Sequence, residues 1–357
     1  MNYSSTHIMQ LPRKVIIGDR ILNNTLEFIK ESTLKNEKIA LITGINVKKT
    51  INKSIEDNFL ENNIKYQWII AGDASFQSVQ NIEKELQNEK IEIIVGIGGG
   101  RCIDIGKMAA NNLKKPFISI PTSASHDGIS SPFVSLRGGH KPYSIKVETP
   151  IGIIADLNTI SNAPCKLIAS GCGDLIAKIT AIKDWELARD DINEYFGEYA
   201  ANLSYLSAKM VLDISKNIKK NNKMDKQITR TIVEGLISSG VAAGIAGSSR
   251  PCSGSEHLFS HALEYITNGK SGLHGERVGI GTIIMAKLHK SNWNEIKNAL
   301  EILGAPTKAK EINADKDEII QAFYLAGKIR PERYTILNKI DLHKNQINDL
   351  IEEVGIA

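Results

Sequence analysis

The chain is predicted to be an α/β protein: an N-terminal Rossmann-like parallel-sheet domain over residues 1–162, then an all-helical domain over residues 163–357. Three observations carry this. Short apolar runs alternate with helical patterns through the first part of the chain. One of those runs ends in Gly98, Gly99 and Gly100, which feed a helix. From about Ala163 the strand signals stop and only helical periodicity remains.

Taken in order, Lys38–Thr43 (KIALIT) is a continuous apolar run, as a strand buried on both faces requires. Tyr66–Ala71, Ile91–Ile97, Phe117–Pro121 and Ile151–Ala155 repeat it. Helical patterns at Ile21–Ser32, Ser75–Asn88 and Arg101–Leu113 lie between or before them. In such sheets ligands bind beyond the carboxyl ends of the strands, where Gly98–Gly100 and Pro121–Ser125 fall. Helical patterns then cover Leu167–Arg189, Glu194–Ile218, Lys226–Gly247, Glu256–Thr267, Gly275–Lys290, Glu295–Leu303, Lys316–Gly327 and Gln346–Val354. Asn221-Asn222, Gly269 and Gly304-Ala305-Pro306 punctuate them.

A length of 357 residues and an apolar share of 42% suit two domains with a sizeable core, sharing one cleft. No run of 18 apolar residues is present and the N-terminus lacks an apolar signal region, so no membrane span or secretion is expected. The net charge of +4 is dispersed. Lys216, Lys219, Lys220, Lys223 and Lys226 form a basic run without interleaved aromatics, which reads as a solvated helix end; no nucleic-acid partner is expected. Cys102, Cys165, Cys172 and Cys252 make no Cys-x-x-Cys pair. A cytoplasmic homo-oligomer acting on a small molecule is expected.

Two groups of residues carry chemistry. A strand ending in glycines before a helix offers free N–H groups and the positive end of the helix dipole, which suits a phosphate or pyrophosphate. A tight turn without ligand is the plainer reading of Gly98–Gly100 alone. The segment matches neither the Gly-x-Gly-x-x-Gly spacing nor a P-loop. Pro121–Gly128 (PTSASHDG) adds three hydroxyls, a His and an Asp, either for a ligand or to cap the next segment. Further on, the segments holding Asp174, His257 and His274 bear metal-type donors. Asp174 alone could be a first-turn acid. His257 and His261 are four residues apart, so they share a helix face, and Leu273-His274-Gly275-Glu276 follows. Imidazoles and a carboxylate suit Zn²⁺ or Fe²⁺, and three protein ligands leave a position open. A zincin is excluded because Glu256 precedes His257, and a thiolate zinc site on Cys172 and Cys252 has no known finger spacing.

GGGRCIDIGK, PTSASHDGISSP, GCGD, SGSEHLFSHALE and HGERVGIGT together resemble the superfamily of iron-containing alcohol dehydrogenases, glycerol dehydrogenases and dehydroquinate synthases. The resemblance runs from Leu11-Pro12-Arg13-Lys14-Val15 to Arg330-Pro331-Glu332-Arg333-Tyr334-Thr335-Ile336-Leu337. It implies metal ligands at Asp174, His257 and His274, the metal usually being Zn²⁺. It implies substrate contacts at Asp127, Asp174 and His261, with Asp127 and His261 the catalytic candidates. It implies dinucleotide contacts in the segment Gly98, Gly99, Gly100, Arg101, Cys102, Ile103 and Asp104, then at Thr122, Ser123, Ala124 and Ser125, and at Ser131. The activity implied is NAD(P)H-dependent, metal-assisted reduction of dihydroxyacetone phosphate to sn-glycerol 1-phosphate, for archaeal membrane lipid backbones. A glycerol dehydrogenase and a dehydroquinate synthase-like lyase are the alternatives, although the lyases usually have Glu where this chain has Asp174. Arg137–His140, Lys141 and Lys146 are the candidates in sequence for holding the substrate phosphate, or else a solvated hairpin. No acid follows the first strand, in Thr43–Lys49, so both NADH and NADPH are expected to serve; the plainer alternative is that Lys48 and Lys49 face solvent and Asp73, after the next strand, binds the ribose.

Overall fold

The protein is described by a computed structural model covering residues 7–32, 38–137, 144–218 and 224–357. The strands are β1 (Lys14–Gly18), β2 (Lys38–Thr43), β3 (Tyr66–Ile70), β4 (Ile91–Gly98), β5 (Phe117–Pro121), β6 (Phe133–Val134), β7 (Ile145–Lys146) and β8 (Gly152–Asp156). The helices of the same part are α1 (Thr25–Ser32), α2 (Ile45–Glu61), α3 (Phe76–Leu86), α4 (Gly100–Asn112) and α5 (Leu157–Ser161). Contacts divide the chain into two compact units. The first is Met1–Ala124, Gly128–Ala163 and Asp225–Val233; the second is Ser125–Asp127, Pro164–Met224 and Glu234–Ala357.

In the first unit a six-stranded sheet has the order β1-β8-β5-β4-β2-β3, and its pairings are parallel. Side chains alternate across it, so each strand feeds two cores. Ile39 and Leu41 of β2, with Ile93, Val95 and Ile97 of β4, pack on one face against Leu26, Phe28, Ile55 and Phe59. Ala40 and Ile42 pack on the other with Ile94, Ile103 and Ile105. The chain leaves β2 for β3 on one side and β4 for β5 on the other. The carboxyl ends of β2 and β4 therefore flank the topological switch point, where open α/β sheets bind ligands. Gly44 ends the first of these strands and Gly98 closes the second.

Three features depart from the sequence reading. Edge strand β1 pairs only with β8, and β6 with β7 forms a separate two-stranded ribbon. Helix α2 has a mainly polar sequence in which only Ile51, Ile55 and Phe59 are buried, one per turn.

The second unit is helical: α6 (Cys165–Ile176), α7 (Lys178–Ile192), α8 (Glu198–Asn217), most of α9 (Lys226–Ala246), α10 (Ser255–Ile266), α11 (His274–Leu288), α12 (Trp293–Ile302), α13 (Lys316–Ile329) and α14 (Lys344–Glu353). The pattern expected as one helix over Leu167–Arg189 is interrupted at Ala177, where the Thr180 hydroxyl donates to the Ala177 carbonyl (3.0 Å) and competes with the main chain. Helix α9 is long and apolar enough to cross a bilayer by length and composition, but 67% of its apolar window is buried inside the protein, as in a core helix.

Candidate active site

In the first unit, β4 delivers Gly98 at φ +151°. A side chain there would meet the Cys102 Cβ and Sγ at 2.9 Å, so glycine is required both conformationally and sterically. Gly99 caps α4 without a side-chain bond, leaving first-turn N–H groups available to an anion. Ser123 is buried and its Oγ has no hydrogen-bond partner. That hydroxyl lies 3.3 Å from where a Cβ on Gly99 would stand. A buried hydroxyl unpaired beside free amides is the polarity a phosphate-bearing ligand would satisfy. Arg101 is exposed, and its Nη2 would be 3.3 Å from a Cβ on Gly44, bringing it to the switch point.

The other candidates of this group differ in what they can offer. Cys102, Ile103 and Ala124 are core side chains, at 3%, 0% and 0% exposure, so they can present only main-chain atoms. Asp104 is buried and accepts from the Ser135 N–H (3.1 Å). Its carboxylate lies 3.8 Å from the Lys107 ammonium. Lys107, wholly buried, donates to the carbonyls of Gly128 (2.6 Å), Ser131 (2.8 Å) and Phe133 (2.9 Å), fixing the loop that carries Ser131. Thr122 bonds through its N–H to Gly98 (3.0 Å). Ser125 belongs to the second unit, where its carbonyl accepts from Ser170 (3.1 Å).

In the second unit the donor atoms of Asp174, His257 and His274 all lie within 4.8 Å of one another. Asp174 Oδ1 is 3.3 Å from His257 Nε2. The other ring nitrogen, His257 Nδ1, meets Glu256 Oε1 at 2.8 Å. Glu256 is itself held by the Gly254 N–H (2.6 Å) and the Thr180 hydroxyl (2.8 Å). A carboxylate behind an imidazole fixes its tautomer and aims the free nitrogen forward. Burial, then the charge of His257, holds His274 well below the ordinary imidazole range, so it is a neutral donor. Burial alone would raise Asp174, but the Lys178 ammonium and the His257 bond outweigh it and hold the carboxyl well below its usual range. Two neutral-capable imidazoles and a carboxylate fit a divalent metal.

Helix contact sets the spacing of this trio. A Cβ on Gly173 would lie 2.2 Å from the Gly275 carbonyl, and one on Gly275 would lie 1.9 Å from the Ser170 carbonyl. Helices α6 and α11 therefore touch main chain to main chain next to Asp174 and His274.

Around the trio stand His261 and His126, whose rings are 6.0 Å and 6.3 Å from that of His274. Burial, then the charges of His257, Arg277, Arg330 and Arg333, push the His261 imidazole down to about 3. Asp127 joins the group from its loop: its N–H donates to Asp174 Oδ2 (2.8 Å) and its carboxylate accepts from Ser239 (3.0 Å).

Sequence reasoning missed Lys178. Its ammonium is wholly buried and contacts Asp127 Oδ2 (2.8 Å), Asp174 Oδ1 (3.1 Å) and the Cys252 carbonyl (3.2 Å). The signal available was its i,i+4 spacing from Asp174, but nothing in sequence marks a lysine as buried. The role of Glu256 was missed too. Cys172 and Cys252 are both buried and pushed up to about 12 by that burial, which opposes thiolate ligation. Of the basic phosphate candidates, Arg137 and Lys146 are exposed. Gly138, Gly139, His140 and Lys141 lie outside the described residues, as do Lys219, Lys220 and Lys223 of the basic run.

A nucleotide-type switch point in a parallel sheet and a helical unit with a carboxylate–imidazole trio are what a dehydrogenase of the iron-containing alcohol dehydrogenase class would carry, and the profile of the iron-containing alcohol dehydrogenases matches residues 16–164. A solved glycerol dehydrogenase from Schizosaccharomyces pombe has the same fold, with a TM-score of 0.76 at 19% identity over 99% of this chain and 92% of its own. The chain belongs to the glycerol-1-phosphate dehydrogenase family. It is 47% identical over 351 residues to the glycerol-1-phosphate dehydrogenase [NAD(P)+] of Nitrosopumilus maritimus, covering 98% of this chain and 97% of that one. With the enzyme of the same name from Sulfurisphaera tokodaii the identity is 44%, over 98% of each chain.

Proposed function

We propose that this protein is an NAD(P)-dependent oxidoreductase that reduces dihydroxyacetone phosphate to sn-glycerol 1-phosphate, supplying the glycerophosphate backbone of membrane lipids. The clustering of Asp174, His257 and His274 within 4.8 Å carries the reading, because a carbonyl reduction needs a site for positive charge at the oxygen. In this reading residues 1–162 bind the dinucleotide, through Gly98–Asp104, Thr122–Ser125 and Ser131, and residues 163–357 hold metal and substrate. Asp174, His257 and His274 would hold one Zn²⁺, the ion that two imidazoles and one carboxylate suit when a position is left open. When bound, the metal supplies Lewis-acid polarisation of the C2 carbonyl and the reduced nicotinamide supplies the hydride.

The chain's own residues do the rest. Glu256 fixes the His257 tautomer. Lys178 bridges Asp127 and Asp174 and holds the Asp174 carboxyl well below its usual range. Asp127 accepts a hydrogen bond from a substrate hydroxyl. His261, neutral at physiological pH because of its burial and then the cations around it, relays a proton: one ring nitrogen takes a proton from water as the other gives its own to the C2 oxygen. The protein is further read as a cytoplasmic homo-oligomer; exposed Tyr199, Tyr205 and Leu206 on α8 give it an apolar face to bury.

The test is oxidation of NADH or NADPH in the presence of dihydroxyacetone phosphate, with chiral identification of the product and metal analysis of the protein. Formation of sn-glycerol 1-phosphate with about one zinc per chain is expected. Turnover of phosphorylated substrate without net cofactor oxidation would mean a lyase, and preference for dihydroxyacetone would mean a glycerol dehydrogenase.

A further inference from the structure

The segment Arg330–Leu337 is tied onto the start of α10, the helix of His257 and His261. Asp184 makes the tie: one oxygen accepts from the Ile336 N–H (2.7 Å), the other from the Ser255 N–H and hydroxyl (2.6 Å each). Arg250 adds a bond to the Tyr334 carbonyl (2.7 Å). Arg333 is thereby carried inward to 8% exposure. Its guanidinium donates to the Ser253 carbonyl (3.0 Å) and the Ser249 hydroxyl (2.8 Å).

The other buried guanidinium groups nearby are neutralised: Arg250 by Glu194 (2.7 Å) and Arg277 by Glu264 (2.8 Å). Arg333 has no carboxylate partner among the described residues. An isolated buried charge is costly and is normally compensated. Burial, then the charges of Arg330 and Arg250, lowers Arg333 to about 9, while its field reaches both Glu256 and His261. Glu194 and Glu256 oppose that charge without pairing with it, so Arg333 remains a buried cation whose field reaches His261, beside the Asp174–His257–His274 trio.

We propose that Arg333, with Arg330 beside it, is the subsite that takes the phosphate of the substrate. A guanidinium fork matches phosphate oxygens in pairs, and in dihydroxyacetone phosphate only a methylene and an ester oxygen separate C2 from phosphorus. The assignment rests on the functional reading above. It gives the phosphate a site in the helical unit rather than on Arg137–Lys146.

The experiment compares kcat/KM for dihydroxyacetone phosphate and for dihydroxyacetone in the full chain and in Arg333→Gln, Arg333→Lys and Arg330→Gln. In Arg333→Gln the ratio of the two should fall about a hundredfold (about 2.7 kcal/mol), chiefly through KM for the phosphorylated substrate. Arg333→Lys should recover part of it. An equal loss on both substrates would mean a structural arginine and overturn the proposal. If Arg333→Gln fails to fold, Arg330→Gln, whose side chain is part exposed, should still lower the ratio about tenfold; an unchanged ratio there overturns the proposal. A second measurement needs no turnover: inorganic phosphate, at constant ionic strength, should raise the Tm of the unmodified protein and not that of Arg333→Gln. An equal rise in both overturns the subsite even if the enzyme reduces dihydroxyacetone phosphate. If it does not reduce that substrate, the functional reading fails and this measurement alone decides the anion site.

Discussion

Lys107 and Lys178 are both wholly buried, one in each unit, yet their ammonium groups are answered in opposite ways. Lys107 is met chiefly by main-chain carbonyls, those of Gly128, Ser131 and Phe133. Lys178 is met by two carboxylates, Asp127 and Asp174, and one carbonyl. Dipoles that cannot titrate make a fixed clamp, and the first lysine simply shapes a loop. Ionised partners make a charge balance, and the second lysine sets the electrostatic state of groups that would bind metal and substrate. A buried lysine is thus structural or electrostatic according to what it faces.

The largest expected effect separates the two directly. Lys178→Met leaves two carboxylates buried side by side and should cost about 3–5 kcal/mol in urea unfolding, with reductase activity down more than about a hundredfold. Lys107→Met strands carbonyls and one carboxylate, Asp104 at 3.8 Å, rather than a pair of them, and should cost about 2–3 kcal/mol, with metal content unchanged. Equal destabilisation by the two substitutions would erase the distinction.

Acid should expose the same difference at the Lys178 side only. His261 is pushed down to about 3 from an ordinary 6.5, and His274 lies well below its ordinary value. Between those values the unfolded chain binds protons that the native state refuses, so stability of the metal-free protein should fall as pH drops below about 6.5. Asp174 and Glu256, both held low, contribute stability above their unfolded values that is lost at lower pH still. His257 is raised by its bonds to Asp174 and Glu256; its share is complete below 6.5 and is lost as pH rises through its folded value. Urea midpoints at pH 7.5 and pH 5 measure the sum. His261→Gln should flatten the decline, and a decline as steep in that variant would remove His261 from the account.

The smallest effect belongs to the segment that follows β5 in the first unit. Ser123→Ala deletes a buried hydroxyl without a partner, so stability should change by less than about 0.5 kcal/mol. KM for NAD(P)H should rise about fivefold, which is about 1 kcal/mol. No change in KM would mean that the hydroxyl does not face the cofactor.

The two regions were not equally legible in sequence. Parallel strands buried on both faces must be continuous apolar runs, so β2, β4, β5 and β8 announce themselves; β3, at one edge, shows only through Trp68, Ile69 and Ile70. Edge strand β1 pairs only with β8 and carries exposed residues, and β6 and β7 are too short for any pattern. Helix α2 hides because one buried residue per turn suffices for it. At the site, donor types at Asp174, His257 and His274 were visible, since imidazole and carboxylate chemistry travels with the residue. Lys178, Glu256 and Arg333 were not, because their roles come from burial, which no single residue announces, and in part from partners 74 to 84 residues distant such as Cys252, Thr180, Ser253 and Ser249.

The glycine contact between α6 and α11 has a consequence for metal choice. The gap between Asp174 and His274 is gauged by main-chain atoms of Gly173, Gly275 and Ser170 in direct contact, not by a layer of side chains that could be thickened or thinned. Repacking the surrounding core should leave that gap untouched. A protein engineer wishing to change the ion would have to exchange a donor side chain, because the frame itself has no slack to give.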